Sequence, residues 1–461
     1  MSNFKTYLLW FAQDHINFRR EETNSLLNLL KIEMTFLEEP TLEQPYWLVK
    51  FSNENDLKTL SNRLVSLKYA LELWGYSDNI PGLHREVQNY PKSLMLPYMS
   101  AEKTFKIDVE TFCKHFTQKE KVDKLETFNY LPVEGKVNLK NPDVVFNYIE
   151  FYGVDPKSPP EKPYMVFFGR WIANGLRSLI NQLSLKTRKF IGNTSMDPQL
   201  SLLMANQAKI QEGDIILDPF VGTGSLLVAA AQFGGYVYGA DIDYLMLHGR
   251  TRPSRIKQTK RSDDESVKAN MIQYNLEDKY LDVLVNDFTI CYWKENFLFD
   301  AIITDPPYGI REATEKIGTA KSNYTISEEH LATHIPAKVD YGLSNLYHDL
   351  LNFCVKHLKI GGRLVCWFPV YRDDYDENCL PTNDCLILKA NSEQILNKHT
   401  SRRLLTYEKI KDASDFQGLK NEIMDFRAKY YDTREETRRE KRLRDANIRD
   451  KNWKEYLEKN N

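Results

Sequence analysis

An aspartate, two prolines and a tyrosine follow an apolar run in the stretch IITDPPYGIRE, residues 302–312. The Asp305 carboxylate can accept one N–H of an exocyclic amine, and the backbone carbonyl of Pro306 can accept the other. Pro306 and Pro307 fix the backbone and bring no competing N–H, and the Tyr308 ring can stack on a flat base. Because the same residue types favour any turn that ends a strand, the chemistry depends on what accompanies it.

Three more apolar runs end in an acid upstream of this turn, namely GDIILDPF, GGYVYGADID and YLDVLVND. In doubly wound sheets, ligands bind outside the carboxyl ends of the strands, so four such acids are expected to meet in one crevice. They are Asp218, Asp241, Asp287 and Asp305.

Two glycines, Gly222 and Gly224, follow the first of these strands in DPFVGTGSLL. Glycine there lets the backbone approach a ligand and exposes a helix N-terminus, although a tight strand–helix connection would use the same residues. The stretch lacks the GxGxxG of dinucleotide sites and the GKS or GKT of a phosphate loop. It therefore favours a nucleotide without a pyrophosphate.

The acids that end the next two strands have different expected partners. Asp241 is the predicted acceptor for two ribose hydroxyls, whereas Asp243 is equally consistent with a helix cap. Asp287 could accept the exocyclic amine of an adenine, with Phe288 offering a ring face, and a solvated loop acid is the alternative. Together these residues predict a site for adenosine that carries a non-phosphate arm.

The elements that must position these residues are repeated strand–turn–helix units from about residue 190, which predict a doubly wound, mostly parallel sheet. Residues 343–358 have helical spacing, and Gly361 and Gly362 are expected to form the turn after that helix. Residues 1–165 alternate strands and helices and predict a separate α+β module.

Four prolines in the nine residues 155–163 predict the end of the N-terminal module. The predicted organisation is a module over 1–165, a linker over 166–190, the domain of the crevice over 191–410 and a charged helical tail over 411–461. In that tail a solvated helix is favoured over a coiled coil, because no heptads are sustained.

The 461 residues carry 62 basic and 64 acidic side chains, a formal net charge of −2, which argues against a uniformly basic surface that binds polyanions. The basic stretch 248–261 is equally consistent with phosphate contacts and with a solvated loop. The six cysteines form no CxxC pair, so neither structural zinc nor a disulfide framework is expected. No signal sequence or run of ~20 apolar residues is present, and a cytoplasmic location is expected.

The motifs DPFVGTGSLL, GADID, NDF and DPPY, in this order, resemble those of S-adenosylmethionine-dependent amino-methyltransferases over about residues 190–370. The segment RKFIGNTSMDPQLSLLMAN (188–206) is similar to the one that holds the cofactor's amino-acid end, and Thr194 and Ser195 match its polar positions. With its N-terminal α+β module, the chain most resembles the eukaryotic tRNA guanosine-10 N2-methyltransferase catalytic subunits, whose N-terminal part is a ferredoxin-like and THUMP unit.

This resemblance implies an α/β Rossmann-like methyltransferase with an N-terminal ferredoxin-like/THUMP module that binds RNA. It implies S-adenosylmethionine as cofactor, tRNA as substrate, N2 of guanosine 10 as the target, and a small zinc-binding activator subunit as partner. It assigns cofactor binding to Thr194, Ser195, Asp218, Gly222, Gly224, Asp241, Asp287 and Phe288, and catalysis to Asp305, Pro306, Pro307 and Tyr308.

Two other functions stay open on the residues alone. The catalytic turn is compatible with adenine N6-methylation of RNA or DNA. A non-catalytic RNA-binding subunit could keep the same fold. Relatives that methylate glutamine generally begin this turn with asparagine, so Asp305 favours a nucleobase over a protein substrate.

Overall fold

The computed structural model describes residues 5–256, 258–310, 312–319, 334–412, 426 and 429–430. Over these residues the chain forms two seven-stranded sheets and a small two-stranded hairpin. Most of the predicted tail over 411–461 lies outside the described residues.

The N-terminal sheet has the strand order β2-β3-β1-β4-β7-β6-β5. Its strands are β1 (Lys5–Phe11), β2 (Met34–Phe36), β3 (Tyr46–Phe51), β4 (Leu67–Ser77), β5 (Phe105–Phe112), β6 (Val144–Phe151) and β7 (Met165–Asn174). Its helices are α1 (Arg19–Leu30), α2 (Glu54–Ser61), α3 (Ile80–Asn89), α4 (Lys92–Met95) and α5 (Gln118–Glu126), with 3-10 turns at Ile16–Phe18 and Leu96–Tyr98. Strand β4 is 11 residues long and pairs with β1 on one side and β7 on the other, so the ferredoxin-like β1–α1–β2–β3–α2–β4 unit and the rest share one sheet.

The predicted linker over 166–190 is wrong in its first part, because β7 belongs to the N-terminal sheet. This strand pairs antiparallel with β4 and with β6, and most of its residues are buried. The proline-rich stretch 155–163 connects the neighbouring strands β6 and β7, so it is a loop inside the module and not the module's end. The short helix α6 (Arg177–Gln182) then leads toward the second sheet.

The second sheet has the order β10-β9-β8-β11-β14-β16-β15. Its strands are β8 (Ile215–Asp218), β9 (Tyr236–Asp241), β10 (Tyr280–Val285), β11 (Phe299–Thr304), β14 (Leu358–Tyr371), β15 (Leu386–Ile395) and β16 (Thr400–Lys409). The first five strands of that order pair in parallel, and β16 runs antiparallel to β14 and β15. The chain order reverses between β8 and β11, which places a ligand crevice at their carboxyl ends.

The helices of the second module are α7 (Pro198–Gln207), α8 (Ser225–Gln232), α9 (Tyr244–Leu247), α10 (Val267–Gln273) and α11 (Leu343–His357). Three 3-10 turns lie at Glu277–Lys279, Arg372–Asp374 and Glu377–Cys379, and β12 (Glu315–Ile317) pairs with β13 (Lys338–Asp340) as the separate hairpin. Helix α7 begins where Asp197 accepts hydrogen bonds from Gln199 N and Leu200 N, and Pro198 takes the first helical position.

The two modules share one apolar core instead of being joined by a free linker. Phe18 and Val65 of the N-terminal module belong to the same cluster as residues of α7 and α8. The buried Glu22 carboxylate accepts hydrogen bonds from Val65 N (2.8 Å), Ser66 N (3.0 Å) and Asn206 Nδ2 (2.7 Å) of α7. Removal of either module would therefore expose apolar surface, and removal of the second module would also deprive Glu22 of its Asn206 donor.

Candidate active site

Asp218, the last residue of β8, ties the carboxyl ends of β8 and β11 together. Its Oδ1 accepts hydrogen bonds from Thr304 Oγ1 (2.8 Å) and Phe220 N (3.1 Å). Burial, with a smaller contribution from the neighbouring carboxylates of Asp241 and Asp305, raises the pKa of Asp218 to about 8. The raised pKa favours the neutral form of Asp218 near neutral pH. Asp218 therefore holds the ends of β8 and β11 in place by hydrogen bonds and does not contribute a negative charge to the crevice.

The glycine turn after β8 presents open backbone at one of its two glycines. Gly222 (φ 49°) and Gly224 (φ 76°) both lie in the left-handed region. A Cβ on Gly222 would meet nothing within 4 Å, whereas a Cβ on Gly224 would lie 2.6 Å from Val267 Cγ1 of α10. Gly222 is thus the position at which a ligand can approach the turn, while Gly224 lets α8 and α10 pack closely.

Asp241 at the end of β9 faces that turn. Its Oδ2 accepts from Gly222 N (2.8 Å) and its Oδ1 from Asp243 N (2.9 Å), and burial raises the pKa of Asp241. A carboxylate has about four lone-pair sites, so each oxygen keeps capacity for a further donor such as a hydroxyl. Asp243 is a helix cap, because its Oδ1 accepts from Met246 N (3.0 Å) at the start of α9.

Asp287 and Phe288, which follow β10, are largely engaged within the protein. Asp287 is buried; its Oδ1 accepts from Thr289 N and Thr289 Oγ1 (both 2.8 Å), and its Oδ2 from Ile317 N (2.5 Å) of β12. The Phe288 ring contacts Phe220 at 5.2 Å and Phe353 at 5.3 Å between ring centroids. An adenine amine at Asp287 would have to use the remaining lone pair or displace β12.

Thr194 and Ser195 lie beside the glycine turn and the segment that follows the catalytic turn. Thr194 Oγ1 donates to Glu312 Oε1 at 2.9 Å. Ser195 Oγ lies 2.6 Å from Thr223 Oγ1 in the glycine turn and accepts from Gly192 N at 2.8 Å. These two hydroxyl residues therefore bring the segment before α7 to the same crevice as Gly222 and Asp241.

The turn after β11 places Asp305 at the crevice, next to a tyrosine and an arginine. Tyr308 OH donates to Asp305 Oδ1, and Arg402 Nη1 of β16 donates to Asp305 Oδ2 at 3.2 Å. Pro306 is buried and Pro307 is half-buried, so the packing of these two rings against the protein restrains the turn. The Tyr308 ring is itself half-buried between the apolar clusters of both sheet faces, and burial raises the pKa of Tyr308 well above its usual value.

The crevice is rich in carboxylates. Burial raises the pKa of Asp305 and of Glu312, and the charge of Asp241 raises that of Glu312 further. Lys338 of β13 acts against this rise at Asp241 and at Glu312. Carboxylates gathered in a water-poor crevice favour a ligand that brings positive charge.

Three residues of the crevice have no role in the sequence prediction. Glu312 lies in the same IITDPPYGIRE stretch as Asp305, and Thr223 lies between the two glycines. Their positions inside the predicted motifs could therefore have identified them as site residues. Arg402 lies 97 residues after Asp305 and reaches it only because β16 turns back beside β14. Nothing in the local sequence around Arg402 indicates that it approaches Asp305.

The basic stretch 248–261 is anchored to the segment before Thr194. Arg261 is buried, pairs with Glu265 (2.6 Å), and donates from both terminal nitrogens to Ile191 O (3.1 Å each). Arg250 and Arg252 remain exposed, and Lys257 lies outside the described residues. The stretch is therefore a packed element that carries a few exposed charges.

The described ranges contain neither a metal-ligand cluster nor a helix that could span a membrane. No group of three or more histidine, cysteine, aspartate or glutamate side chains there is arranged to hold a metal ion. None of the helices described combines the length and the apolar character needed to cross a bilayer.

The strand order, with five parallel strands followed by an antiparallel pair, and the acids at the strand ends define a Rossmann-like methyltransferase domain. The N-terminal module adds a ferredoxin-like unit to it. The predicted fold class, an α/β methyltransferase with an N-terminal α+β module, is confirmed.

Comparison with known proteins identifies the family. Residues 5–177 match the model of the "Tmrp11 THUMP N-terminal domain", which includes β7, and residues 186–325 match that of the "RMKL-like, methyltransferase domain". The chain is 46% identical over 409 residues to the tRNA (guanine(10)-N(2))-methyltransferase TRMT11 of Gallus gallus, with 89% of each chain covered. It is 47% identical over 408 residues to that of Homo sapiens (88% of each chain) and 34% identical over 446 residues to the tRNA (guanine(10)-N(2))-methyltransferase of Saccharomyces cerevisiae (93% of this chain, 99% of the relative). The chain therefore belongs to the family of tRNA (guanine(10)-N(2))-methyltransferases.

Proposed function

We propose that the chain transfers a methyl group from S-adenosylmethionine to the exocyclic N2 of guanosine 10 in tRNA. The observation that carries this proposal is the meeting of Asp305 and the Gly222–Asp241 pair around Asp218, whose pKa both carboxylates raise, in a chain that belongs to this family. The carboxylate-rich crevice suits the cofactor, because S-adenosylmethionine carries a positive sulfonium.

The residues present fit the cofactor. Gly222 leaves open space and Asp241 keeps free lone pairs for two ribose hydroxyls, while Thr194, Ser195 and Glu312 suit the amino-acid end. Asp218 and Gly224 support the turn from within the protein. Asp287 and Phe288 border the place proposed for the adenine, although Asp287 has only part of its acceptor capacity left.

When bound, S-adenosylmethionine supplies an electrophilic methyl group that is lost from sulfur as the N–C bond forms. The amine of guanine is a weak nucleophile because its lone pair is delocalised into the ring. Asp305 accepts one of its N–H groups and the Pro306 carbonyl the other, which holds the nitrogen toward the methyl group. Asp305 can then receive the proton that the nitrogen gives up.

The N-terminal module is proposed to carry most of the tRNA affinity. A chain with a formal net charge of −2 must concentrate its phosphate contacts locally, and the ferredoxin-like and THUMP unit is the natural place for them. Tyr308 is expected to stack on the target base. The cytoplasmic location expected from the sequence stays a prediction.

A small zinc-binding activator subunit is proposed as the partner of the methyltransferase module. Strand β10 is an edge of the sheet, and it exposes Leu281, Leu284 and Val285. Ile290 and Tyr292, just beyond it, are exposed as well. An edge strand with apolar neighbours offers both backbone groups and apolar area to another chain.

The test is methyl transfer from labelled S-adenosylmethionine to unmodified tRNA, with nucleoside analysis of the product. We expect N2-methylguanosine, lost when guanosine 10 is replaced by adenosine. N6-methyladenosine without N2-methylguanosine would assign the site to adenine. Cofactor and tRNA binding with no methylated product in the presence of the activator subunit would make the chain a non-catalytic subunit.

A further inference from the structure

Arg402 lies on β16, where it is paired with Pro369 of β14 across the antiparallel ladder. Its side chain is only 13% exposed. A guanidinium that is so largely removed from water needs fixed partners, because an unpaired buried charge is costly.

Five groups contact this guanidinium, one of them the Tyr308 hydroxyl, which lies 3.5 Å from Nη1. Its carbon lies 3.9 Å from the centre of the Trp367 ring, and Nε donates to Gln394 Oε1 at 2.7 Å. Nη2 lies 3.4 Å from Met196 Sδ, and Nη1 donates to Asp305 Oδ2 at 3.2 Å. Trp367 is fully buried, so the ring that Arg402 packs against is fixed in position by the core. The geometry therefore aims one guanidinium nitrogen at the carboxylate of the catalytic turn.

Burial opposes the negative charge of Asp305. The titratable groups that face it are Tyr308 on its own turn, Asp218 on β8, Tyr347 on α11, Cys366 on β14 and Arg402 on β16. Burial raises the pKa of Asp305, while Arg402 and the Tyr308 hydroxyl lower it. Arg402 is thus the cation that offsets the burial of this carboxylate.

The charge state of Asp305 decides its chemistry. An ionised carboxylate only accepts hydrogen bonds, whereas a protonated one presents an O–H donor and could neither hold an amine N–H in the same way nor take up its proton. We propose that Arg402 is a positioning residue that holds Asp305 as an anion in the orientation that accepts an N–H of the target amine. This inference rests on the proposed function only for the identity of the amine.

The first test is the pH dependence of methyl transfer by the full-length protein with its activator subunit, under single-turnover conditions with unmodified tRNA. Arg402→Gln removes the charge but keeps hydrogen-bonding atoms. We expect its rate at neutral pH to fall by about 10-fold or more, while affinity for S-adenosylmethionine stays within about 2-fold. Because loss of the cation raises the pKa of Asp305, the acidic limb of the profile should move up by about one pH unit or more, with the rate recovering as pH rises.

Two matched variants accompany it. Arg402→Lys keeps the charge without the planar fork, so its acidic limb should stay near that of the wild type at a reduced rate. Arg403→Gln is the control, because Arg403 is the next residue on β16, is 14% exposed, and donates to Asn391 Oδ1 at 2.6 Å instead of reaching Asp305. Its acidic limb should not move. An Arg402→Gln profile lowered equally at every pH, with no shift of the limb, would overturn the proposal.

The second test needs no substrate. In a double-mutant cycle on the thermal midpoint, Arg402→Gln should destabilise the protein more when residue 305 is aspartate than in the Asp305→Asn background, where no carboxylate is left unpaired. Equal effects in the two backgrounds would show that the pair is not coupled and would overturn the inference. Because this measurement is independent of methyl transfer, it separates failure of the inference from failure of the proposed function.

Discussion

At the scale of single residues, the crevice separates two tasks between two aspartates. Asp305 is paired with side chains, Tyr308 and Arg402, and lies on the rigid turn after β11. Asp241 is held by the backbone amides of Gly222 and Asp243 and keeps acceptor capacity toward the open side of the glycine turn. The proposed function therefore gives the base to Asp305 and the ribose to Asp241.

The first prediction is that the two tasks can be lost separately. Asp305→Asn should lower the rate of methyl transfer by about 100-fold or more, because an amide cannot take up the proton, while cofactor affinity by calorimetry stays nearly unchanged. Asp241→Asn should weaken cofactor binding by about 10-fold or more, because one of its two acceptors becomes a donor. The control is Asp243→Asn, since asparagine caps a helix as well as aspartate does. Equal loss of cofactor affinity in the Asp305 and Asp241 variants would contradict this division.

The second prediction concerns Asp218, whose pKa burial raises from 3.8 to about 8. The folded protein binds the proton of this carboxyl more tightly than the unfolded chain does. The free energy of unfolding therefore falls as pH rises from the unfolded pKa to the folded pKa, here from about 4 to about 8. Asparagine at this position stays neutral and keeps an oxygen for Thr304 and Phe220. The free energy of unfolding of Asp218→Asn, compared with the wild type by denaturant titration, should therefore rise with pH across that window and level off above it. A difference that is constant from pH 5 to pH 8.5 would show that Asp218 is ionised throughout.

The sequence predicted the roles that depend on neighbouring residues and missed those that depend on contacts between distant segments. The acids at the ends of β8, β9, β10 and β11 could be found because each follows its own apolar run. The helix cap of Asp243, left open against a ligand role, is now assigned. The engagement of Asp287 by Ile317 and the approach of Arg402 to Asp305 depend on pairings between distant segments, which no local pattern encodes.

At the scale of elements, the errors share one physical cause. The sequence predicts boundaries at the proline-rich stretch 155–163 and at Gly361-Gly362, but the first is a loop within the N-terminal module and the second lies within a strand. The first connects β6 and β7; the second lies within β14, where the register to β11 jumps from the Phe299–Leu358 pair to the Ala301–Arg363 pair. A bulge absorbs the left-handed Gly361 (φ 81°) without ending the strand. Pairing across a sheet thus overrides local turn signals.

The third prediction tests the β10 edge as the site of the activator subunit. Leu284→Asp should abolish co-purification of that subunit, because a buried carboxylate at the contact would be unpaired. Leu388→Asp is the matched control, since Leu388 is also 37% exposed but lies on β15, the opposite edge of the same sheet. Both variants should keep the far-UV circular dichroism of the wild type. Loss of the subunit with Leu388→Asp and not with Leu284→Asp would move the interface to β15.

At the scale of the whole molecule, the two modules are built as one packed body. Beyond the Glu22 network, Arg63 donates to Asn206 Oδ1 and to Ile210 O (both 3.0 Å from Nη2), and Arg363 of β14 donates to Ser25 Oγ of α1 at 2.9 Å. Phe18 reaches Trp367, the residue beneath Arg402, at 5.9 Å between ring centroids. The module proposed to hold tRNA therefore supports the packing behind the catalytic turn.

The last prediction follows from that shared core. If the modules are one cooperative unit, calorimetry of the full chain should give a single unfolding transition. S-adenosylmethionine should raise the midpoint temperature of that whole transition, although it binds only one module. Glu22→Gln should lower that transition by a few degrees, because an amide cannot accept from Val65, Ser66 and Asn206 at once and the loss costs about 1–3 kcal/mol. Glu21→Gln, one residue earlier on α1, is the matched control, since its carboxylate is not the acceptor of those three donors. Two separate transitions, of which the cofactor moves one and Glu22→Gln the other, would show that the modules fold independently and that the buried network does not couple them.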